Sequence, residues 1–211
     1  MSATNPSICV VLAVTSDTAF LDLQGVPNLI RAFDFLITFF PYQTVLIAVS
    51  PADVPNVHEV LDKRAANYEF LISRSLEPAP FSLALEPFFL NFEAVLIHDA
   101  SRPLTSKEQF ERVLTAFDDD IDAVRPSVPF TETLKILGQD SIIRETLDRS
   151  SVLRISTPEL IRVSAIETSG SDAGWFLPLK KGARTTHTEG SPEGLRINTT
   201  ADRDLMELHQ I

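Results

Sequence analysis

Three unbroken runs of β-branched and apolar residues set the terms for this chain: Ile8 to Val14, Thr44 to Val49 and Ala94 to Ile97. A strand with one wet face alternates polar and apolar residues, and none of these does, so each needs cover on both faces. Between the first two runs, Val26, Leu29, Ile30, Phe33, Leu36 and Ile37 recur at helical spacing. Strand, helix, strand in that order reads as a βαβ unit. The expectation is an α/β fold of Rossmann-like type, with a mostly parallel open sheet and helices on both faces.

The remaining pattern fits that plan. Val57, Val60 and Leu61 mark a second helix, Phe70 to Ile72 a short strand, and Leu83 to Leu90 another helix. Ser106 to Phe117 reads as a helix capped by Thr105 or Ser106, with Phe110, Val113, Leu114 and Phe117 on one face. After Ile121 the period shortens. Ala123 to Pro129 and Leu134 to Leu137 read as strands, and Gly138-Gln139-Asp140 as a turn before Ile142-Ile143, so a hairpin arm is expected to leave the main sheet. Thr157-Pro158-Glu159 suits a helix start, Ala183 to Thr188 a late strand, Arg196 to Asn198 a short strand, and Thr200 to His209 a final helix. With 211 residues and no linker or low-complexity tract, residues 1–211 are expected to form one domain.

Composition removes some functions. The net charge of −11, with no basic tract, argues against nucleic acid as a partner. No apolar run approaches the roughly 18 residues of a membrane span, and no signal peptide is evident, so the expectation is a cytoplasmic protein with no membrane partner. Cys9, the single cysteine, lies within the first apolar run and reads as a buried small hydrophobe.

Chemistry concentrates where the third run ends. His98-Asp99-Ala100-Ser101-Arg102-Pro103 follows Ile97 directly. Charged residues there belong beyond the carboxyl end of a buried strand, the edge at which open α/β sheets bind ligands. Asp99 could bind a metal, together with Asp17 and Asp22 of the loop after the first strand, or it could cap its own turn. His98 reads first as a hydrogen-bonded structural residue, and the other histidines lack zinc-ligand spacing. No two of the seven glycines are separated by one residue, so a GxG phosphate cradle is absent. A scattered set, Arg102, Thr133, Lys135, Arg149, Thr157 and Arg196, has the arginine forks and hydroxyls that suit an ester phosphate, and equally suits surface ion pairs and turn hydroxyls.

The order of these motifs resembles that of the 2-C-methyl-D-erythritol 4-phosphate cytidylyltransferase family and its relatives acting on ribitol 5-phosphate. His98-Asp99-Ala100-Ser101-Arg102-Pro103 is similar to the family's HDAAR loop, Glu132-Thr133-Leu134-Lys135 to its D-T-hydrophobic-K segment, and Glu145-Thr146-Leu147-Asp148-Arg149 to its T-x-D-R arm. Ser156-Thr157-Pro158-Glu159 resembles x-T-P-Q, and the stretch from Gly190 to Thr199 resembles G-x-x-x-N-I-K-I-T. The resemblance implies a nucleotide-diphospho-sugar transferase fold and a homodimer clasped by a β-arm at about residues 131–154. It further implies sugar-phosphate contacts from Arg102, Thr133, Arg149 and Thr157, and nucleotide contacts from Asp99 and Ala100. Asp99 would also be the metal ligand for Mg2+, and Arg196 would stand in the place of a catalytic lysine. The implied ligands are a small phosphorylated polyol and CTP.

The departures fall on the triphosphate side. The family's first loop is glycine-rich and carries an arginine and a lysine, whereas here Val14-Thr15-Ser16-Asp17-Thr18-Ala19-Phe20-Leu21-Asp22 has no cation and no glycine. The first lysine in the chain is Lys63, and a second glycine pair is replaced around Ser73-Arg74-Ser75. Because transfer at phosphorus depends on fixed positive charge, the expectation is a relative impaired in catalysis. The alternative is an active cytidylyltransferase of the non-mevalonate isoprenoid pathway, in which another cation, such as Arg31 or Arg74, enters the loop.

Overall fold

Each of the expected buried runs becomes a central strand. A computed structural model of the chain describes residues 6–62, 64, 67–168 and 176–209; Lys63, Gly170 and Gly174 lie outside the described residues. The strands are β1 (Ile8–Ala13), β2 (Asp22–Leu23), β3 (Val26–Pro27), β4 (Val45–Val49), β5 (Tyr68–Ile72), β6 (Ala94–Asp99), β7 (Ala123–Pro129), β8 (Leu134–Leu137), β9 (Ile143–Leu147), β10 (Leu153–Ile155), β11 (Glu159–Arg162) and β12 (Thr185–Glu189). The helices are α1 (Asn28–Phe39), α2 (Val54–Leu61), α3 (Pro78–Leu85), α4 (Lys107–Ala116) and α5 (Thr200–His209).

The main sheet runs β10-β7-β11-β6-β1-β4-β5, with β12 on β7. Strands β6, β1, β4 and β5 are mutually parallel. Strand β11 runs antiparallel between β6 and β7, so the sheet is mixed on that side. Successive residues of β1 serve opposite faces. Val10 and Leu12 pack with Leu29, Phe33, Leu36, Leu61 and Phe110 from α1, α2 and α4, while Cys9 and Val11 pack with Phe81, Leu85 and Phe176. Burying each large apolar side chain stabilises by about 1.5–3 kcal/mol, and the two faces together explain why these runs tolerate no polar residue.

Helix α4 starts at Ser106, whose hydroxyl accepts from the Gln109 N–H, as expected of its cap. Three expectations are corrected. The helix placed at Leu83 to Leu90 begins at Pro78 and gives way to a single 3-10 turn, Glu86–Phe88, because Phe81 and Leu85 are the residues that dock on the sheet. Thr157-Pro158-Glu159 does not begin a helix. Leu160 and Ile161 that follow are fully buried on opposite faces, and pairing with β6 and β7 makes this segment the strand β11. Arg196 to Asn198 is not a strand either: the Ile197 N–H donates to the Ser101 carbonyl (2.9 Å), while the Asn198 N–H turns to Asp202 (3.0 Å).

Strands β8 and β9 form a separate antiparallel ladder joined by a turn at Gly138 to Ser141. Their apolar side chains Ile136, Leu137 and Ile143 are exposed, as is Ile142 in the turn.

Candidate functional site

Chain connectivity picks out one point on the sheet. From β1 the chain moves outward to β4 and β5, then returns to lay β6 on the other side of β1. The reversal leaves a crevice at the carboxyl ends of β1 and β6, where ligands of open α/β sheets bind. Asp99 ends β6 opposite Ala13, the last residue of β1. The Ala100 N–H donates to the Ala13 carbonyl (2.9 Å) and holds the two loop starts together.

Asp99 is almost wholly buried, at 1% exposure, and each carboxylate oxygen has partners. Oδ1 accepts from the Ser101 N–H (2.9 Å) and from the Thr15 hydroxyl (3.2 Å). Oδ2 accepts from Arg196 Nε (2.8 Å). Arg196 Nη2 continues into the first loop, reaching Thr15 Oγ1 (2.8 Å) and Ser16 Oγ (3.0 Å), while Nη1 donates to the Asn198 side chain. A ring of hydroxyls sits beside this guanidinium: Thr18 and Ser101 are 2.9 Å apart, and Ser16 and Thr18 are 2.7 Å apart. The first loop is held in place by Asn28, whose side-chain amide donates to the Thr18 carbonyl (2.8 Å) from the start of α1.

Arg102 lies one layer deeper. Its Nη1 donates to the Gly194 carbonyl (2.6 Å) and to Ser156 Oγ (3.1 Å), so it fastens the segment leading to Arg196. Burial draws the Arg102 guanidinium down to about 10 against the pull of Asp99, which leaves it charged at neutral pH. Thr157 Oγ1 accepts from the Asp99 N–H (3.2 Å) and bonds His98 Nδ1 (2.9 Å). His98 is drawn down to about 4 by burial, and a neutral ring in that position is a structural residue. Gln109, fully buried on α4, joins both walls: Nε2 donates to the Thr157 carbonyl (2.6 Å) and Oε1 accepts from the Ser191 hydroxyl (2.9 Å). Gly194 is close enough to Gln109 that an added Cβ would stand 3.3 Å from its amide, tighter than ordinary contact.

The expected residues therefore divide into two groups. Asp99, Ala100, Arg102, Thr157 and Arg196 meet at the crevice. Thr133 and Arg149 are exposed on the arm, where Arg149 Nη1 donates to the Thr131 carbonyl (2.6 Å) and Lys135 Nζ to Thr146 Oγ1 (2.6 Å). Neither Arg31 nor Arg74 supplies the first loop with charge: Arg31 is bound to the Leu23 carbonyl (2.7 Å), and Arg74 is exposed beyond β5. Among the described residues, the cation that reaches the loop is Arg196. Sequence reasoning missed Thr15, Ser16, Ser101 and Gln109. Gln109 alone carried a signal, as a polar residue next to Phe110 on the buried side of α4.

The Mg2+ expectation meets a donor set that does not fit it. Asp17 and Asp22 are exposed, and no group of three or more metal-ligating side chains converges among the described residues. A hard cation needs open oxygen positions, but the Asp99 carboxylate is engaged by two donors on one oxygen and a guanidinium on the other. Next to Thr15 opens a cleft of about 410 Å³ lined by Ser75, Leu76, Glu77, Pro78 and Phe176.

The sequence matches the family described as 2-C-methyl-D-erythritol 4-phosphate cytidylyltransferase over residues 11–202. The enzyme of that name from Bacillus velezensis is 22% identical over 87% of this chain and 83% of its own length. The bifunctional enzyme IspD/IspF of Nitratidesulfovibrio vulgaris is 38% identical over 39% of this chain, and the match spans 22% of that longer protein. Among solved structures, the 4-diphosphocytidyl-2C-methyl-D-erythritol synthase of Anaerococcus prevotii superposes with a TM-score of 0.74 at 17% identity, covering 98% of this chain and 99% of the other. The Thermus thermophilus cytidylyltransferase gives 0.70 at 21% identity over 95% and 98%. At such identities the superpositions speak for the fold, a mostly parallel open sheet of the nucleotidyltransferase kind. The match over residues 11–202, on the strand order and loops described above, places the chain in the 2-C-methyl-D-erythritol 4-phosphate cytidylyltransferase family.

Proposed function

We propose that this chain is a divergent cytidylyltransferase homologue that keeps the phosphopolyol side of its pocket and a nucleotide cleft but is impaired in turnover. One observation carries the reading: the single cation that reaches the first loop among the described residues, Arg196, is already committed to Asp99, Thr15 and Ser16. In the family reaction a phosphate oxygen of the polyol phosphate attacks the α-phosphorus of CTP, the bond to the β-phosphate breaks, and pyrophosphate leaves. The attack builds negative charge that fixed cations must meet, and loss of one such donor costs about a hundred- to a thousand-fold in rate.

In this reading Asp99 and Ala100 form the nucleotide floor, with the base in the cleft between Thr15 and Phe176. Thr157 and Arg102 shape the phosphopolyol wall. Thr133 and Arg149 approach from the arm of a partner copy, and Arg196 is the residue that meets the reacting phosphates. Residues 1–211 act as one unit with an arm at about 131–154, in the cytoplasm. No helix among the described residues is long and apolar enough to cross a membrane. A homodimer is supported by the arm's exposed Leu137 (59%), Ile142 (55%) and Ile143 (59%), surface that a second arm would cover.

The test is pyrophosphate release from CTP with methylerythritol phosphate or ribitol phosphate. Impairment predicts turnover below about 0.1 per second, a hundredfold under the usual median of roughly 10 per second. A rate within about tenfold of that median would establish the active alternative. That alternative is favoured by the same guanidinium, which does put positive charge at the first loop.

A further inference from the structure

The clash between Asp99 and a divalent cation can be carried further. Asp99 Oδ2 faces a guanidinium at 2.8 Å, and Oδ1 holds Thr15 and Ser101. An ion entering here would displace Arg196 or lie against it, a like charge beside a carboxylate that is 1% exposed. The hydrogen bonds of Arg196 engage Nε once, Nη1 once and Nη2 twice, which leaves one Nη1–H for a ligand. The side chain is 24% exposed, and the partly exposed hydroxyls of Ser16 and Thr18 stand on the same side, Ser16 bonded to the guanidinium and Thr18 bonded to Ser16.

We propose that Arg196 occupies the place of a divalent cation at the crevice between β1 and β6, so that Asp99 takes no metal and phosphate groups bind there on the guanidinium and hydroxyls without one. The Asp99 charge is cancelled from within the protein, where a metal ion would otherwise be recruited for that purpose. The inference concerns binding and stands whether turnover is fast or slow.

The test is site-resolved NMR of the full chain, with Mn2+ as a paramagnetic probe. In the wild-type protein the amide signals of Asp99, Ala100 and Ser101 stay sharp as Mn2+ is added; broadening of these signals overturns the proposal. In Arg196→Met, which keeps an apolar stem, the same signals broaden, with Mn2+ affinity raised about tenfold or more. If this variant, shown folded by its amide spectrum, leaves them sharp, Arg196 is not what excludes the metal. Arg196→Gln gives a second reading should the first variant be unstable, and the wild-type arm needs no variant. For the phosphate half, inorganic pyrophosphate is titrated in EDTA while the Arg196 Nε–H signal is followed. A shift equal to that seen with magnesium supports the proposal. A shift that requires magnesium, or no shift in either condition, overturns it. These readouts are independent of the pyrophosphate-release rate, so failure of this inference is distinguishable from failure of the impaired reading.

Discussion

At the scale of single residues, His98 gives the fold a pH dependence. An unfolded histidine titrates near 6.5, whereas burial draws His98 to about 4, so between those values the unfolded chain binds more protons. Stability is therefore complete above about pH 6.5 and falls by about 3 kcal/mol as pH drops toward 4, below which this contribution stays flat. Urea unfolding at pH 7 and pH 4.5, compared with His98→Asn, should show that slope in the wild type and lose most of it in the variant. Thr157 is coupled to the same ring and to the Asp99 N–H. Thr157→Val keeps the shape and leaves a buried donor unpaired, for which about 1–3 kcal/mol of destabilisation is expected by the same unfolding measurement. Cys9 behaves in the opposite sense to a reactive thiol. Burial pushes it up to about 12, so the native protein should leave a thiol reagent unconsumed until denaturant is added.

Elements differ in how plainly they are written in the chain. Strands β1 and β4, and β6 as far as Ile97, are legible because burial on both faces excludes polar residues there; His98 and Asp99, which the strand also takes in, are buried polar exceptions at the site. Strand β11 is not: Pro158 suits a helix start, and only pairing with two neighbouring strands makes Glu159–Arg162 extended. That strand also brings a buried acid, Glu159, into contact with Arg125 of β7, and burial raises the Glu159 carboxyl despite the arginine. Arg125→Met would leave that acid without its partner, and a loss of about 3–5 kcal/mol is expected in denaturant unfolding. The arm is legible as a hairpin from its turn. Its exposed face gives the element-scale prediction for the proposed dimer: Ile143→Glu should shift the sedimentation coefficient from dimer to monomer without lowering the unfolding midpoint by more than a few degrees.

For the whole molecule, the site was readable only in part. Asp99 and Arg102 announce themselves as charges at the end of an apolar run. The hydroxyls of Thr15, Ser16 and Ser101 do not, because hydroxyl side chains carry no periodic signature and their partners across the crevice lie 83 to 181 positions away. Arg196 is picked out in the sequence by the motif resemblance, but its pairing with Asp99, at a separation of 97 residues, is visible only in the fold. This long reach has a consequence for how the protein is made. During synthesis, β1, β6 and the Asp99 carboxylate can assemble well before Arg196 has been added. Until the segment around Arg196, 97 residues after Asp99, has been made, the buried carboxylate lacks the guanidinium that meets its Oδ2, and the crevice is completed only then.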